Sequence, residues 1–348
     1  MNDSLANGVL PIAAPPPAPG DVRDVAPGIR WLRMPLPFAL DHINLWLIDE
    51  DDAYALVDCG YGDAATRAQW QRHFETTLAA RPIRSIVVTH CHPDHLGNAA
   101  WLETRYGCGV TMTQGEYLAA HALIAEIAGY GPADVRALFV RHGMPAELVA
   151  ALAAKGNRYR RGVPEAPRAF ARMIGGDVIA LGGRSWHVIP GYGHSVEHAA
   201  LYCEASRVLI AGDMLLPRIS TNVAVWPGEP DADPVQRFLD SLASFERLPP
   251  DTLVLPSHGP PFRGIAARVG QLRAHHAQRL AELREGLANA AAGPQSAHDV
   301  IPLLFRRELD VHQRFFAMGE AIAHLNHLWR RGRASRVIDG DGAIRFTA

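Results

Sequence analysis

The stretch Thr89-His90-Cys91-His92-Pro93-Asp94-His95-Leu96-Gly97-Asn98 contains three histidines and one aspartate within six consecutive positions. It follows the apolar run Ser85-Ile86-Val87-Val88, which is typical of a buried strand. A strand that ends in a tight turn can direct alternate side chains towards one point, so His90 and His92 can bind one metal ion and Asp94 and His95 a second. Because a solvated loop does not place four potential ligands directly after a core strand, this stretch predicts a metal site.

Three further candidate ligands each follow a short apolar run later in the chain. His194 lies in a glycine-rich turn after one such run, Asp213 directly follows another, and His258 follows a third. Imidazole and carboxylate donors suit zinc, iron or manganese, and we expect two divalent ions, with zinc as the first choice. The expected ligands form two sets that Asp213 bridges: His90, His92 and His194 for one ion, and Asp94, His95 and His258 for the other. This arrangement leaves room for solvent, as in catalytic sites, and two such ions can share a hydroxide.

The composition is that of a globular protein long enough for more than one domain. The chain has 348 residues, of which 48% are apolar and 20% charged, with a formal net charge of −2. That charge gives no overall attraction to nucleic acid or to an anionic membrane, and no apolar run reaches the length of a membrane span. The four cysteines form no CxxC pair and no disulfide framework, so we expect a reducing, cytoplasmic compartment.

The strand and helix patterns divide the chain into three parts. Residues 1–20 are rich in alanine and proline and predict a disordered tail. Residues 21–264 combine short strands with interleaved helices and predict an α/β (α+β) catalytic domain, with a helical insertion at about 114–172. Residues 265–348 are mostly helical and end in a helix followed by a hairpin with an Asp-Gly turn.

The HxHxDH motif, followed by the later His, Asp and His, resembles the metallo-β-lactamase superfamily. All seven ligand positions match, and the resemblance covers roughly Val22 to Gly264. It implies an αββα sandwich with the metal site at one edge, and it implies that Asp94 both binds a metal and orients the hydroxide. Asp58 matches a structural aspartate near the metal loop, and His198 matches a structural position outside the ligand set. The C-terminal helix and hairpin resemble the small winged-helix domain of β-lactamase-like protein 2 and its bacterial relatives.

The superfamily hydrolyses several kinds of ester, so the resemblance alone does not identify the substrate. Asp213 argues against antibiotic hydrolysis, because true β-lactamases lack the bridging aspartate. The insertion contains Tyr117, Tyr130 and Phe139 among many aliphatic residues, which suits an apolar lid over an acyl or aromatic group. We therefore expect a dinuclear hydrolase of a small-molecule thioester, lactone or related carboxyl ester.

Two other functions stay open at this point. Some relatives with the winged-helix domain are endoribonucleases, so metal-dependent phosphodiester hydrolysis, with the C-terminal domain binding nucleic acid, is the main alternative. A non-catalytic regulatory module is the third candidate, and a homodimer is left open, whereas no membrane partner is expected. The insertion also carries four arginines that suit a phosphate or carboxylate at the rim of the site, although a solvated basic loop is the favoured interpretation: Arg158, Arg160, Arg161 and Arg168.

Overall fold

In the computed structural model, which describes residues 8–291 and 293–348, two seven-stranded sheets pack face to face. Strand β4 (His42–Glu50) illustrates why both faces of a sheet are buried. Ile43 and Leu45 contribute to the core on the outer side of their sheet, whereas Trp46 and Ile48 lie in the core between the two sheets. Helices cover both outer faces, so the predicted αββα sandwich is confirmed.

The first sheet combines antiparallel and parallel strands. Its strands, in spatial order, are β2 (Arg23–Ala26), β3 (Ile29–Pro35), β4, β5 (Ala53–Val57), β6 (Ile83–Val87), β7 (Gly109–Met112) and β8 (Ala171–Arg172). Strands β5 to β8 run parallel, and parallel neighbours need crossover connections. The first crossovers consist of α1 (Ala64–Glu75), α2 (Pro93–Leu96) and α3 (Ala99–Tyr106).

The second sheet is antiparallel except for one parallel pair of strands. Its strands, in spatial order, are β1 (Leu10–Pro11), β14 (Phe262–Arg263), β13 (Leu253–Pro256), β12 (Val208–Gly212), β11 (His198–Cys203), β10 (Arg184–Gly191) and β9 (Val178–Leu181). The parallel pair, β12 and β13, is connected through α8 (Pro234–Glu246), which packs on the outer face of this sheet.

Helices also form the insertion and most of the C-terminal region, as predicted. The insertion contains α4 (Gln114–Ala125), α5 (Pro132–Arg141), α6 (Ala146–Ala153) and α7 (Arg158–Gly162). The C-terminal elements are α9 (Ile265–Ala288), α10 (Ile301–Leu304), α11 (Val311–Arg330), β15 (Ser335–Ile338) and β16 (Ile344–Thr347). Side chains of α9 and α11 share one core with α8 and the second sheet, and the predicted C-terminal hairpin is present. The domain boundary at residue 264 stays a prediction.

The prediction of a disordered N-terminal tail is wrong for the part that the structure describes. Strand β1 pairs with β14, and the Ile12 amide donates a hydrogen bond to the Pro261 carbonyl at 3.0 Å. Val9 is only 2% exposed. The pairing satisfies backbone groups at an open sheet edge, a gain that composition alone does not reveal. Residues 1–7 of the predicted tail lie outside the described residues.

Candidate metal centre

Every predicted ligand lies just beyond the carboxyl end of a strand. The first four follow β6, His194 follows β10, Asp213 directly follows β12, and His258 follows β13. Because β6 belongs to the first sheet and the other three strands to the second, the site lies where corresponding edges of the two sheets meet. The side chains come together in two groups: His90, His92, His194 and Asp213 in one, and Asp94, His95 and His258 in the other.

The first donor set consists of three imidazoles and one carboxylate oxygen. His90 Nε2 lies 3.0 Å from His92 Nδ1 and 3.2 Å from His194 Nε2. His194 Nε2 also lies 3.2 Å from Asp213 Oδ2. The donor atoms therefore surround a common point beyond the carboxyl ends of β6 and β12.

The second donor set uses the other oxygen of the same aspartate. Asp213 Oδ1 lies 3.5 Å from both His95 Nε2 and His258 Nε2. Asp94 Oδ2 is 3.7 Å from His95 Nε2 and 3.4 Å from His258 Nε2. Asp213 thus presents one carboxylate oxygen to each donor set.

The separations in the second donor set, 3.4 Å to 3.7 Å, fit metal coordination better than direct hydrogen bonding. Tetrahedral ligands at the usual metal–nitrogen distance of about 2.1 Å lie about 3.4 Å apart. His95 Nε2 and Asp213 Oδ1 are buried and have no hydrogen-bond partner among the described residues. Buried polar atoms without partners call for an unseen ligand or ion, so the donor sets fit two divalent cations.

In His194 and His258, a hydrogen bond from one ring nitrogen leaves the other ring nitrogen facing the metal centre. Nδ1 of His194 donates to the Asn222 carbonyl at 2.7 Å, and Nδ1 of His258 donates to the His42 carbonyl at 2.8 Å. A carbonyl oxygen can only accept, so each Nδ1 carries a proton and each Nε2 can present its lone pair to a metal.

Asp58 holds the start of the metal loop in place. Its carboxylate accepts hydrogen bonds from the Thr89 amide at 2.8 Å, from the Thr89 hydroxyl at 2.9 Å and from His95 Nδ1 at 2.8 Å. The Asp58 backbone adopts a left-handed conformation with φ of 63°. Such a conformation is uncommon for residues other than glycine and points to a local constraint. The structure therefore places Asp58 beneath the loop, outside both donor sets.

His198 also lies outside the donor sets. The side chain is fully buried, and its Nε2 accepts a hydrogen bond from the Asp213 amide at 3.3 Å. This contact requires glycine at position 212, because a Cβ there would lie 2.2 Å from His198 Nε2. No motif includes Gly212, but its position directly before the candidate ligand Asp213 is a signal in the sequence.

The surroundings favour the neutral form of His90 and His92 and the ionised form of Asp94. Burial lowers the pKa of His90 well below its usual range and that of His92 to about 3. Burial alone would raise the pKa of Asp94, yet His95 and His258 lower it to about 2. Burial would lower the pKa of His95 and His258, but Asp58 outweighs it at His95 and Asp213 at His258, with a contribution from Asp94 at both, and the pKa of each is raised. A metal ion that binds these two imidazoles would displace their protons.

The insertion holds the metal loop through the backbone of Cys91. Glu116 on α4 is fully buried. Its carboxylate accepts hydrogen bonds from the Cys91 amide at 2.8 Å and from the Glu197 amide at 2.7 Å. The Tyr159 hydroxyl donates to the Cys91 carbonyl at 2.6 Å. Neither Glu116 nor Tyr159 lies in a motif, so the sequence did not predict these contacts. Together they restrain the turns that carry His92 and His194.

Of the three aromatic residues predicted for a lid, Phe139 packs into the body of the protein, and Tyr117 and Tyr130 are half-buried. Tyr117 stacks on Phe170 at a ring separation of 4.1 Å, and both Tyr117 and Tyr130 pack against the helical layer of the first sheet. Phe139 is fully buried in the core below the second sheet. Burial makes the Phe139 ring unavailable to cover a substrate, whereas Tyr117 and Tyr130 keep part of their surface exposed.

Comparisons with known proteins agree with this architecture. Residues 39–258 match the family described as the Metallo-beta-lactamase superfamily, and residues 283–348 match the metallo-beta-lactamase-like C-terminal domain. A beta-lactamase domain protein from Burkholderia ambifaria, known from its crystal structure, is 47% identical and has a TM-score of 0.89, with 97% of each chain covered. The probable metallo-hydrolase YqjP of Bacillus subtilis (strain 168) is 24% identical over 85% of this chain and 91% of its own. A hydroxyacylglutathione hydrolase of Idiomarina loihiensis is 23% identical over 63% of this chain and 62% of its own.

The chain therefore belongs to the metallo-beta-lactamase superfamily, as its ligand motif predicted, and it is a metallo-hydrolase of that superfamily. Within the described residues, no helix combines the length and apolar character that crossing a membrane requires.

Proposed function

We propose that the protein is a dinuclear metal-dependent hydrolase that acts on a small-molecule thioester, lactone or related carboxyl ester. The observation that carries this proposal is the position of Asp213. Its Oδ2 lies 3.2 Å from a nitrogen of the first donor set, and its Oδ1 lies 3.5 Å from two nitrogens of the second. A carboxylate shared in this way suits two ions about 3.5–4 Å apart.

Two divalent ions, with zinc as the proposed metal, would supply a nucleophile near neutral pH and stabilise negative charge on the substrate carbonyl oxygen. Asp94 is the proposed catalytic residue because its side chain is 19% exposed, the largest value among the ligating carboxylates. Its low pKa keeps it ionised, so it can accept a hydrogen bond from the attacking water and orient it. Asp58 and Glu116 restrain the loop on which Asp94 lies.

A thioester is the favoured substrate within this class. A thiolate leaves more easily than an alkoxide at neutral pH, because the pKa of a thiol is only about 8.5. Such a leaving group does not depend on a strong general acid. One relative is a hydroxyacylglutathione hydrolase, which supports an acyl group joined to a thiol carrier as the substrate. The four cysteines of this chain are buried and free, and we propose a reducing, cytoplasmic location on that basis.

The position of α11 makes a nucleic-acid substrate less suitable. A recognition helix must present basic side chains to a groove. In α11 nearly all side chains from Ala317 to Leu328 are buried against the rest of the protein. This burial leaves little of the helix for a groove, and it supports a structural role for the C-terminal region.

The test combines metal analysis with hydrolysis assays on zinc-loaded protein. The substrate panel contains acyl-glutathione, acyl-CoA, lactone and single-stranded RNA, and it is applied to wild type, Asp94→Ala and the exposed control Asp52→Ala. We expect two ions per chain and ester turnover that Asp94→Ala abolishes and Asp52→Ala retains. RNA cleavage that depends on Asp94, without ester turnover, would contradict the proposal.

A further inference from the structure

Arg158 differs from the other arginines of the basic stretch. Arg160, Arg161 and Arg168 are exposed, as expected of a solvated loop, whereas Arg158 is half-buried. Its Nη1 atom is buried and has no hydrogen-bond partner among the described residues. Burial lowers the pKa of this guanidinium, Arg161 adds to that shift, and Tyr61 and Asp310 oppose it without reversing it. A partly buried cation without a contacting anion is costly, so its position indicates a binding role.

Helix α7 places Arg158 near the solvent-accessible part of the metal loop. Gly162 lies four residues after Arg158, on the same face of the helix. A Cβ at Gly162 would lie 2.3 Å from the Tyr61 ring and 2.6 Å from Pro93, which stands between two predicted ligands. The face of α7 that carries Arg158 therefore packs on Tyr61 and the metal loop. Pro93 and Asp94 are both partly exposed, so this is the accessible side of the loop.

A series of aromatic rings, here called the aromatic wall, continues from Tyr61 to the C-terminal helix. Its members come from three separate segments of the chain: Phe38, Tyr61, His312, Phe315 and Phe316. Phe38 meets Tyr61 edge-on at 5.4 Å and stacks on His312 at 4.7 Å. His312 packs against Phe316 at 5.1 Å, and the Arg158 guanidinium lies 5.2 Å from the Phe315 ring centre.

The aromatic wall lies near the metal centre and is partly exposed to solvent. Phe38 precedes His42 by four residues in the connection between β3 and β4, and the His42 carbonyl holds the predicted ligand His258. Phe316 is 37% exposed, so part of its ring is free to contact a bound group.

We propose that Arg158 and the aromatic wall form a substrate subsite for an apolar or aromatic group that carries a carboxylate or a phosphate. Aromatic rings bind apolar surface, and a guanidinium matches the planar geometry of a carboxylate or the oxygens of a phosphate. The substrate's anion pairs with the exposed part of the half-buried guanidinium, and the ester carbonyl then lies towards Asp94. This inference rests on the proposed ester hydrolysis and adds that the substrate is anionic.

The test uses three thioesters of N-acetylcysteamine that differ only at one ring position. The acyl groups are 4-carboxyphenylacetyl, 4-phosphonooxyphenylacetyl and the uncharged 4-carbamoylphenylacetyl. Each is assayed with zinc-loaded wild type, Arg158→Met and Arg160→Met. Methionine preserves an apolar stem against Phe315, and Arg160 is an exposed arginine on the same helix. Thermal unfolding verifies that each variant is folded.

We expect Arg158→Met to raise KM for at least one anionic thioester about tenfold or more, with little change in kcat. KM for the carbamoyl thioester should change less than about twofold, and Arg160→Met should resemble wild type. The more affected anion identifies carboxylate or phosphate as the recognised group. Equal losses for charged and uncharged thioesters, or equal effects of the two variants, would overturn the subsite.

A binding assay separates failure of the subsite from failure of the proposed function. If wild type hydrolyses none of the thioesters, the ester proposal is wrong, and calorimetry then measures binding of benzoate, phenyl phosphate and benzamide to the same proteins. About tenfold weaker binding of an anion to Arg158→Met, with benzamide unchanged, would support the subsite. Unchanged anion affinity, or no binding of either anion to wild type, would overturn it.

Discussion

The metal centre and the aromatic wall beside it are built in different ways. The predicted ligands follow the ends of strands, and the sheets place those ends at one edge. The rings of the wall come from a strand connection, a turn after β5 and the N-terminal half of α11. A region built on strand ends can hold fixed distances for metal ions, whereas a region built from separate connections can vary with the substrate. We therefore expect changes in the first region to affect metal binding and changes in the second to affect substrate affinity.

The largest effect is expected from Asp213→Asn. The variant keeps the shape of the side chain but removes the charge that both donor sets share. Hydrolysis should fall roughly a hundred- to a thousandfold, and the metal content should fall below two ions per chain. Asp251→Asn, an exposed change, serves as the control in kinetic assays with metal analysis. Full activity with one ion per chain would show that the bridge is not needed.

A smaller effect on metal binding is expected from Glu116→Gln. The carboxylate accepts two backbone amides, whereas a glutamine must turn its own NH2 group towards one of them. The free energy of unfolding should fall by about 1–3 kcal/mol, and zinc affinity should fall about tenfold. Chelator competition and denaturant unfolding measure the two quantities, with the exposed Glu147→Gln as the matched variant. Unchanged zinc affinity would mean that the insertion does not support the metal loop.

Phe316→Ala, a change in the aromatic wall, should weaken substrate binding and leave metal binding unchanged. Loss of the ring should raise KM about fivefold for an aromatic substrate and leave the zinc content at the wild-type level. Leu303→Ala is a matched control, because Leu303 and Phe316 are both 37% exposed. Steady-state kinetics and metal analysis on the same preparations make the comparison. A loss of bound zinc in Phe316→Ala would show that the aromatic wall also affects metal binding, which contradicts the distinction between the two regions.

The smallest effect concerns Glu320, whose carboxylate accepts a hydrogen bond from the Asn222 side chain behind the metal centre. Burial raises the pKa of Glu320 to about 7, so the folded protein favours the protonated form. Ionisation above the unfolded pKa of about 4.3 therefore costs stability, and the loss grows as pH rises through 7. We expect Glu320→Gln to gain thermal stability over wild type between pH 5 and pH 8, relative to the exposed control Glu308→Gln. A constant difference across this range would contradict the assignment.

The two-sheet architecture was implied by the resemblance of the ligand motif to the superfamily, and the sequence itself indicated the seven candidate ligands because each lies beyond an apolar run. It could not predict Glu116, since a glutamate in the first turn of a helix is an ordinary surface pattern. Its role depends on amides 25 and 81 positions away in the chain. Strand β1 was missed for a similar reason, because its two residues gain stability only from the sheet edge that they pair with. The aromatic wall depends on tertiary contacts alone.

The central claim is that two ions share Asp213, and a crystal structure of the zinc-loaded protein with anomalous diffraction tests it most directly. The account predicts two anomalous peaks about 3.5–4 Å apart, each about 2 Å from a different oxygen of Asp213. One peak only, or two peaks of which one lies away from Asp213, would contradict it.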